Sequence, residues 1–394
     1  MTRGRASRSD GVLLGSALFS GAAGAAFLII SERHLGPVAF EPVAQVWTIW
    51  AITAAFLSFS VQLNTIGQGG SVAYMFRPAM IGLIAAVTGL VAVVTFSFRS
   101  ELFGSQQLLW PLIALVLPLG TAGMGLAKGY WAARREFIRT GIVLASENAL
   151  RLVMCLVLVA VGATADKFGV AIVVGFIPAL FTPWAGIRAD AVVHDDQHVA
   201  TLSAGLSGLA AFTMLSGAPI VLAIAGAPDD MTTATFVALT LVRIPHGVAQ
   251  GLIPRLSVAA TSRFATGGEL ASWQRNALLI VLAIAPIAAL VGATALGPLA
   301  SFLFGSDNRL MRLDYVLAAL LGLVNLGIIA QTVVLTAARE FRAMRFSWLV
   351  AAPVLLAVFW IDARDPSAVL GLLLVVETTA LFVLSLGAAF TRRG

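Results

Sequence analysis

Three polar residues sit inside one apolar stretch, Phe236 to Arg255, and their spacing defines a chemistry. Arg243, His246 and Gln250 stand at i, i+3 and i+7, so a helix puts all three on one face. A cation at bilayer depth costs ~2.5–3.5 kcal/mol on insertion scales, so it faces a bundle interior or a wet cavity rather than lipid. A guanidinium there suits a phosphate, because its planar fork matches the oxygens. Pro245 removes one backbone hydrogen bond and is expected to kink the helix. The competing reading is structural: Arg243 snorkels to the interface or caps the carbonyls that Pro245 frees.

Glu147 and Arg151 are spaced i, i+4 in a second apolar stretch and can pair on one helix face. Two readings stay open. The pair holds its helix against its neighbours, or it lines a cavity where Arg151 meets an anion. Gln62, Asn64, Asn325 and Gln331 are further polar intrusions, which either bridge helices or bind a polar cargo. Glu377 is a lone acid in an apolar run beside Thr378 and Thr379, and is a candidate for ion coupling. Nothing here points to catalysis. Neither lysine, Lys128 or Lys167, sits in the Gly-Lys-[Ser/Thr] setting of a nucleotide-binding loop. His194-Asp195-Asp196-Gln197-His198 has metal-ligating residue types, but reads as a solvated linker, so no metal site and no cofactor are expected.

The elements that must position these residues are transmembrane helices. Mean hydropathy is +0.95. Only 11% of residues are charged, where soluble domains carry about 25%. The single cysteine, Cys155, excludes an intrachain disulfide. A span needs ~20 apolar residues. Twelve stretches meet that rule, near 11–30, 43–64, 79–98, 107–127, 141–162, 168–187, 202–225, 232–254, 276–298, 315–337, 346–361 and 367–389. With the N-terminus in the cytoplasm, seventeen of the 25 cations fall on the cytoplasmic side and six on the other. That split accounts for the positive formal charge without nucleic acid, and it places both termini inside. A multi-pass protein of the cytoplasmic (inner) membrane is expected. The loops leave no room for a soluble domain.

The mid-chain stretch divides the spans into two sets of six, residues 1–195 and 196–394. Six is even, so the halves would share orientation, related by an axis along the membrane normal. A short repeat supports a duplication: Ala132-Ala133-Arg134-Arg135-Glu136-Phe137 follows span four, and Ala337-Ala338-Arg339-Glu340-Phe341 follows span ten.

Several motifs, in order, resemble a known family. They are Leu35-Gly36-Pro37 with Val46-Trp47-Thr48-Ile49-Trp50; Gly125-Leu126-Ala127-Lys128-Gly129 with Arg134-Arg135-Glu136-Phe137 and Glu147-Asn148-Ala149-Leu150-Arg151-Leu152; Arg243-Ile244-Pro245 with Gln250-Gly251-Leu252-Ile253-Pro254; and Leu303-Phe304-Gly305. The chain resembles the multidrug/oligosaccharidyl-lipid/polysaccharide exporter superfamily, and within it the bacterial polysaccharide-biosynthesis flippases. The resemblance implies an all-α membrane protein with twelve transmembrane helices in two six-helix lobes around a central cavity. It implies a transporter, not an enzyme, that flips a polyprenyl-(pyro)phosphate-linked saccharide to the outer leaflet by alternating access. Membrane lipids, that glycan and the glycosyltransferases or polymerase of its pathway would be its partners. Arg243, Arg151 and His246 would meet the phosphates; Gln62, Asn64 and Gln250 would meet the sugars. Two alternatives remain. A cation-coupled multidrug exporter of the same superfamily would want embedded acids, and Glu147 and Glu377 qualify. A polyprenyl-dependent membrane glycosyltransferase would need outer-loop acids, and Glu32 and Glu41 sit in a loop of about a dozen residues.

Overall fold

A computed structural model of the chain describes residues 2–67, 69–71, 75, 78–104, 107–182, 210–211, 213–265, 270–305, 310–338 and 340–391. These residues form helices and turns, with no strand among them. Among the described residues, nine helical stretches are long and apolar enough to cross a membrane. Large apolar side chains stand exposed along them, such as Leu90 and Val93 at 62% and 64%. That surface would be a liability in water and fits hydrocarbon. The residues group into two compact units, one within Met1–Thr201 plus Gly247–Pro254, the other within Leu202–His246 plus Arg255–Gly394.

The first unit runs through α1 (Thr2–Leu35), α2 (Pro37–Thr53), a π turn (Ala54–Ser58), α3 (Phe59–Gly67), α4 (Pro78–Ser97), α5 (Arg99–Phe103), α6 (Leu109–Ala133), α7 (Phe137–Ala160), α8 (Ala165–Val174) and α9 (Ile177–Leu180). Helix α1 packs along α7, and α6 is central, touching α2, α3, α4, α7 and α8. Glycines make that closeness achievable. A Cβ on Gly125 would run into the Ser58 backbone at the π turn, and one on Gly129 into the Gln62 carbonyl at 2.8 Å. Gly125→Ala is therefore expected to cost about 1–3 kcal/mol, because backbone is what must yield. A lowered melting temperature in detergent would register it; an unchanged one would contradict the close approach.

The span expected at 168–187 is broken. Helix α8 stops at Val174, and the four residues of α9 follow a turn at Gly175 and Phe176. Phe176 turns its amide to the Val173 carbonyl, and Pro178 has no amide to give. The carbonyl of Ile172 thus loses its helical partner, and a side chain supplies one, as described below.

In the second unit follow α10 (Ala218–Ile224), α11 (Asp229–Ala265, of which Gly247–Pro254 groups with the first unit), α12 (Leu270–Val291), a π turn (Gly292–Leu296), α13 (Gly297–Phe304), α14 (Arg312–Ala337), α15 (Phe341–Ala351), a 3-10 stretch (Ala352–Trp360) and α16 (Pro366–Thr391). Helix α11 is continuous through Pro245 over 37 residues, about 55 Å of rise. Helices α12, α14 and α16 pack as a trio. The span expected at 346–361 leaves α-geometry halfway, at Ala352-Pro353.

The two units repeat details of backbone. Glu136 and Glu340 precede α7 and α15 with φ/ψ of −87/62 and −88/62. Both amides reach five residues back, to Trp131 and Leu335, at 3.0 and 2.9 Å. A second pair, Leu102-Phe103-Gly104 and Leu303-Phe304-Gly305, closes α5 and α13. Gly104 and Gly305 both cap in the left-handed region, with φ of 55 and 78. The turns before α7 and α15, and the caps of α5 and α13, thus share their local geometry.

Candidate functional site

In the first unit a buried cluster of charges centres on Arg151. This side chain is fully buried. Its Nε donates to the orphaned Ile172 carbonyl at 2.9 Å, and its Nη1 to Asn148 Oδ1 at 2.7 Å. Nη2 lies 3.1 Å from Glu147 Oε1. Trp50, Phe176 and Trp47 surround the guanidinium at 4.2, 5.4 and 5.6 Å from their ring centres. A Cβ at Gly175 would strike it. Glu147 is shared: its Oε2 accepts from Lys128 Nζ at 2.9 Å. Asn148 continues the chain to Ser20 on α1, donating to its carbonyl at 3.0 Å and its hydroxyl at 2.9 Å. The cluster joins α1, α6, α7 and the break after α8. Of the two readings of Glu147–Arg151, this geometry describes the internal pair. Lys128 is the more accessible cation, with 15% of its side chain exposed.

Gln62 and Asn64 are buried on α3, and the Asn64 amide nitrogen has no hydrogen-bond partner. No hydrogen bond ties them to the Arg151 cluster among the described residues. Sequence reasoning missed Lys128, Asn148 and the tryptophans, and it placed Glu32 and Glu41 in a loop. Both acids are buried, at 1% and 3% exposure, and Glu32 Oε2 has no partner. The signal was the run of helix-compatible residues from Ile30 to the Gly36-Pro37 break, which carries α1 one turn beyond the expected span.

In the second unit Arg243 is half-buried on α11. Its Nη2 reaches the Leu215 carbonyl at 3.5 Å, the outer limit of a hydrogen bond, while Nε and Nη1 have no partner. The guanidinium stands 5.9 Å from the Phe236 ring centre. His246 is buried, with Nδ1 3.0 Å from the Val242 carbonyl one turn back. The side chain of Gln250 and the segment His194–His198 lie outside the described residues.

Glu377, on α16, is fully buried and accepts from Asn325 Nδ2 at 2.6 Å. The same amide nitrogen donates to Ala211 O at 2.7 Å, which uses both its hydrogens. Glu377 Oε2 and Asn325 Oδ1 are left with no donor. A pair of starved oxygens, one from a carboxyl, is the arrangement that accepts a cation or a proton.

No family model and no curated protein matches the sequence. Solved structures do match the fold. The eukaryotic MATE transporter AtDTX14 superposes with a TM-score of 0.57 at 12% identity, over 98% of this chain and 96% of that one. A multidrug resistance MATE family transporter of the MOP superfamily, in its outward-facing conformation, gives 0.54 at 12% identity over 97% and 95%. A variant of the Vibrio cholerae MATE transporter VcmN gives 0.52 at 14% identity over 98% of both chains. What such distant likeness carries is fold: this chain is an all-α, multi-pass membrane protein built on the twelve-helix, two-lobed plan of the MATE transporters.

Proposed function

We propose that the chain is a membrane exporter, not an enzyme, which works by alternating access and couples efflux to a cation gradient. The observation that carries this reading is fold likeness to MATE transporters along essentially the whole length of the chain. Of the cargoes weighed from sequence, an organic cation of the multidrug type is better supported than a lipid-linked saccharide. One of the matched structures is a multidrug resistance transporter. Glu377 with Asn325 is assigned the coupling ion. The test is uptake of ethidium into inverted proteoliposomes under an imposed proton or sodium gradient; gradient-independent accumulation overturns the reading.

Arg243 favours a second reading. Two of its guanidinium nitrogens have no partner, and such a group suits an anion. If the cargo is a polyprenyl-pyrophosphate glycan, Arg243→Ala should lower flipping by about a hundredfold, the worth of a charge-assisted hydrogen bond pair. Arg243→Lys should keep part of it, since charge survives and the fork is lost. Leaflet-resolved accumulation of lipid-linked sugar in cells reads both; normal flipping by Arg243→Ala removes the anion reading. The glycan's glycosyltransferases or polymerase would then be the partners.

The proposed topology keeps both termini cytoplasmic, with halves 1–195 and 196–394 as parallel lobes around a central cavity. A cysteine placed at Asp229 should label from outside, and one at Arg263 should not. The buried Cys155 keeps the background low. Reversed labelling would invert the topology.

A further inference from the structure

Unit two holds a second group of starved oxygens, and it lies on the same three helices that pack around Glu377. Gln331 on α14 donates from Nε2 to the Gln274 backbone carbonyl at 2.9 Å and to Ser385 Oγ at 3.3 Å. Gln274 on α12 donates from Nε2 to the Leu384 carbonyl at 2.9 Å. Both glutamines are at most 1% exposed. Both Oε1 atoms have no donor. The pattern resembles that of Asn325: amide nitrogens donate to protein carbonyls and a hydroxyl, and amide oxygens are left over. A site whose acceptors are free takes a guest that brings donors or positive charge.

The two groups are stacked along the unit. Asn325 and Glu377 make one layer. Six residues on from Asn325 along α14, about 9 Å, and eight on from Glu377 along α16, about 12 Å, come Gln331 and Ser385. Between them the contacts are apolar. A Cβ on Gly327 would meet Val281 Cγ2 at 2.8 Å and Leu381 Cδ2 at 3.3 Å. Val281, Leu381 and Ile328 are buried at this level. The glutamine layer lies near the start of α12 and the ends of α14 and α16, beside exposed Arg275. By the distribution of cations that end is cytoplasmic. Among the described residues, Glu377 is the titratable side chain of the stack.

We propose that Gln274, Gln331 and Ser385 form an uncharged way-station for the coupling ion, a proton carried by water or a small monovalent cation, between the cytoplasmic face and Glu377. Leu381, Val281 and Ile328 close at Gly327 as the barrier that stops the ion from running through without cargo. This assignment rests on the cation-coupled reading of Glu377. It adds that the route is held shut by side-chain packing within one unit. An apolar barrier between two polar layers blocks ions because a charge must shed its water to enter it.

The test uses the full-length protein in liposomes loaded with a pH-sensitive or a sodium-sensitive dye, with no cargo present. Leu381→Asn should leak the ion about tenfold faster than the wild type when a gradient is imposed, the effect of a barrier lowered by one polar contact. The dye that responds distinguishes proton from sodium. Gln331→Leu keeps volume and removes a polar group left half satisfied, so its melting temperature should hold or rise. Its gradient-driven ethidium transport should fall about tenfold. A structural role alone would move stability, not rate. A tight Leu381→Asn together with wild-type transport by Gln331→Leu overturns the route. If Glu377→Gln leaves ion dependence intact, the coupling reading itself fails, whatever the other two variants do. If Glu377→Gln abolishes coupling and the other two are silent, the route alone is wrong.

Discussion

Glu147→Leu should destabilise the first unit by about 3–5 kcal/mol, because it strands two cations that share one carboxylate. Arg151 has no exposure at all, and three rings and the Ile172 carbonyl fix it in place. It cannot follow the lost charge out to water. Lys128 can, since its side chain is partly exposed. Against a total stability of about 5–15 kcal/mol, that loss should appear as little folded protein in the membrane and a melting temperature lower by roughly 10 °C. Glu147→Leu combined with Arg151→Leu should recover much of it, since an all-apolar replacement is often tolerated where half a pair is not. Recovery stays incomplete because Ile172 again lacks a donor. Thermal unfolding of both variants, followed by size-exclusion in detergent, decides the point. An unaffected single variant would mean that the cluster is hydrated and carries little of the fold.

On the proposed coupling, Glu377→Gln has the second large effect, and it is on transport rather than stability. Glutamine keeps the shape of the side chain and can still accept from Asn325, so the unit should fold. It cannot bind and release a proton or neutralise a cation. Gradient-driven ethidium transport should fall by about a hundredfold or more, which corresponds to about 2.7 kcal/mol of lost interaction with the ion. Glu377→Asp should keep part of the activity, with the carboxyl withdrawn by one methylene from Asn325. Wild-type transport by Glu377→Gln would remove this residue from the proposed coupling mechanism.

The spans were legible in sequence because hydropathy measures what the bilayer measures. Among the described residues, the nine helices long and apolar enough to cross all fall on expected stretches. What hydropathy does not carry is which face points inward. In water, a helix shows its buried side by contrast with its polar side. In lipid both sides are apolar and the contrast vanishes. Glu147 and Arg151 were visible as an i, i+4 pair, but Lys128, on another helix, gave no sign of joining them. The break after α8 was hidden for a related reason. Gly175 and Pro178 are tolerated inside spans, so neither alone marks an end; the break depends on Arg151 arriving from α7 to satisfy Ile172. Glu32 was misplaced because a single acid near a span end reads as interface.

The paired turns at Glu136 and Glu340 have a historical consequence. Continuing their register, Lys128, Glu147 and Arg151 fall opposite Thr332, Ala351 and Leu355, and Thr121 falls opposite Asn325. A half-length ancestor with six spans would have had both ends on one side of the membrane, so a tandem copy could insert the same way up with no change to its flanking charges. On the duplication proposed above, the two copies have since diverged. The first holds its buried Lys128, Glu147 and Arg151 in mutual ion pairs. The second keeps Glu377 and the amides of Asn325, Gln274 and Gln331 with oxygens that have no donor, which on the proposed coupling are what meets the ion. Gene halves expressed as separate polypeptides should then be unequal: the front half stable alone, the rear half the one whose melting temperature rises when the proposed coupling cation is added.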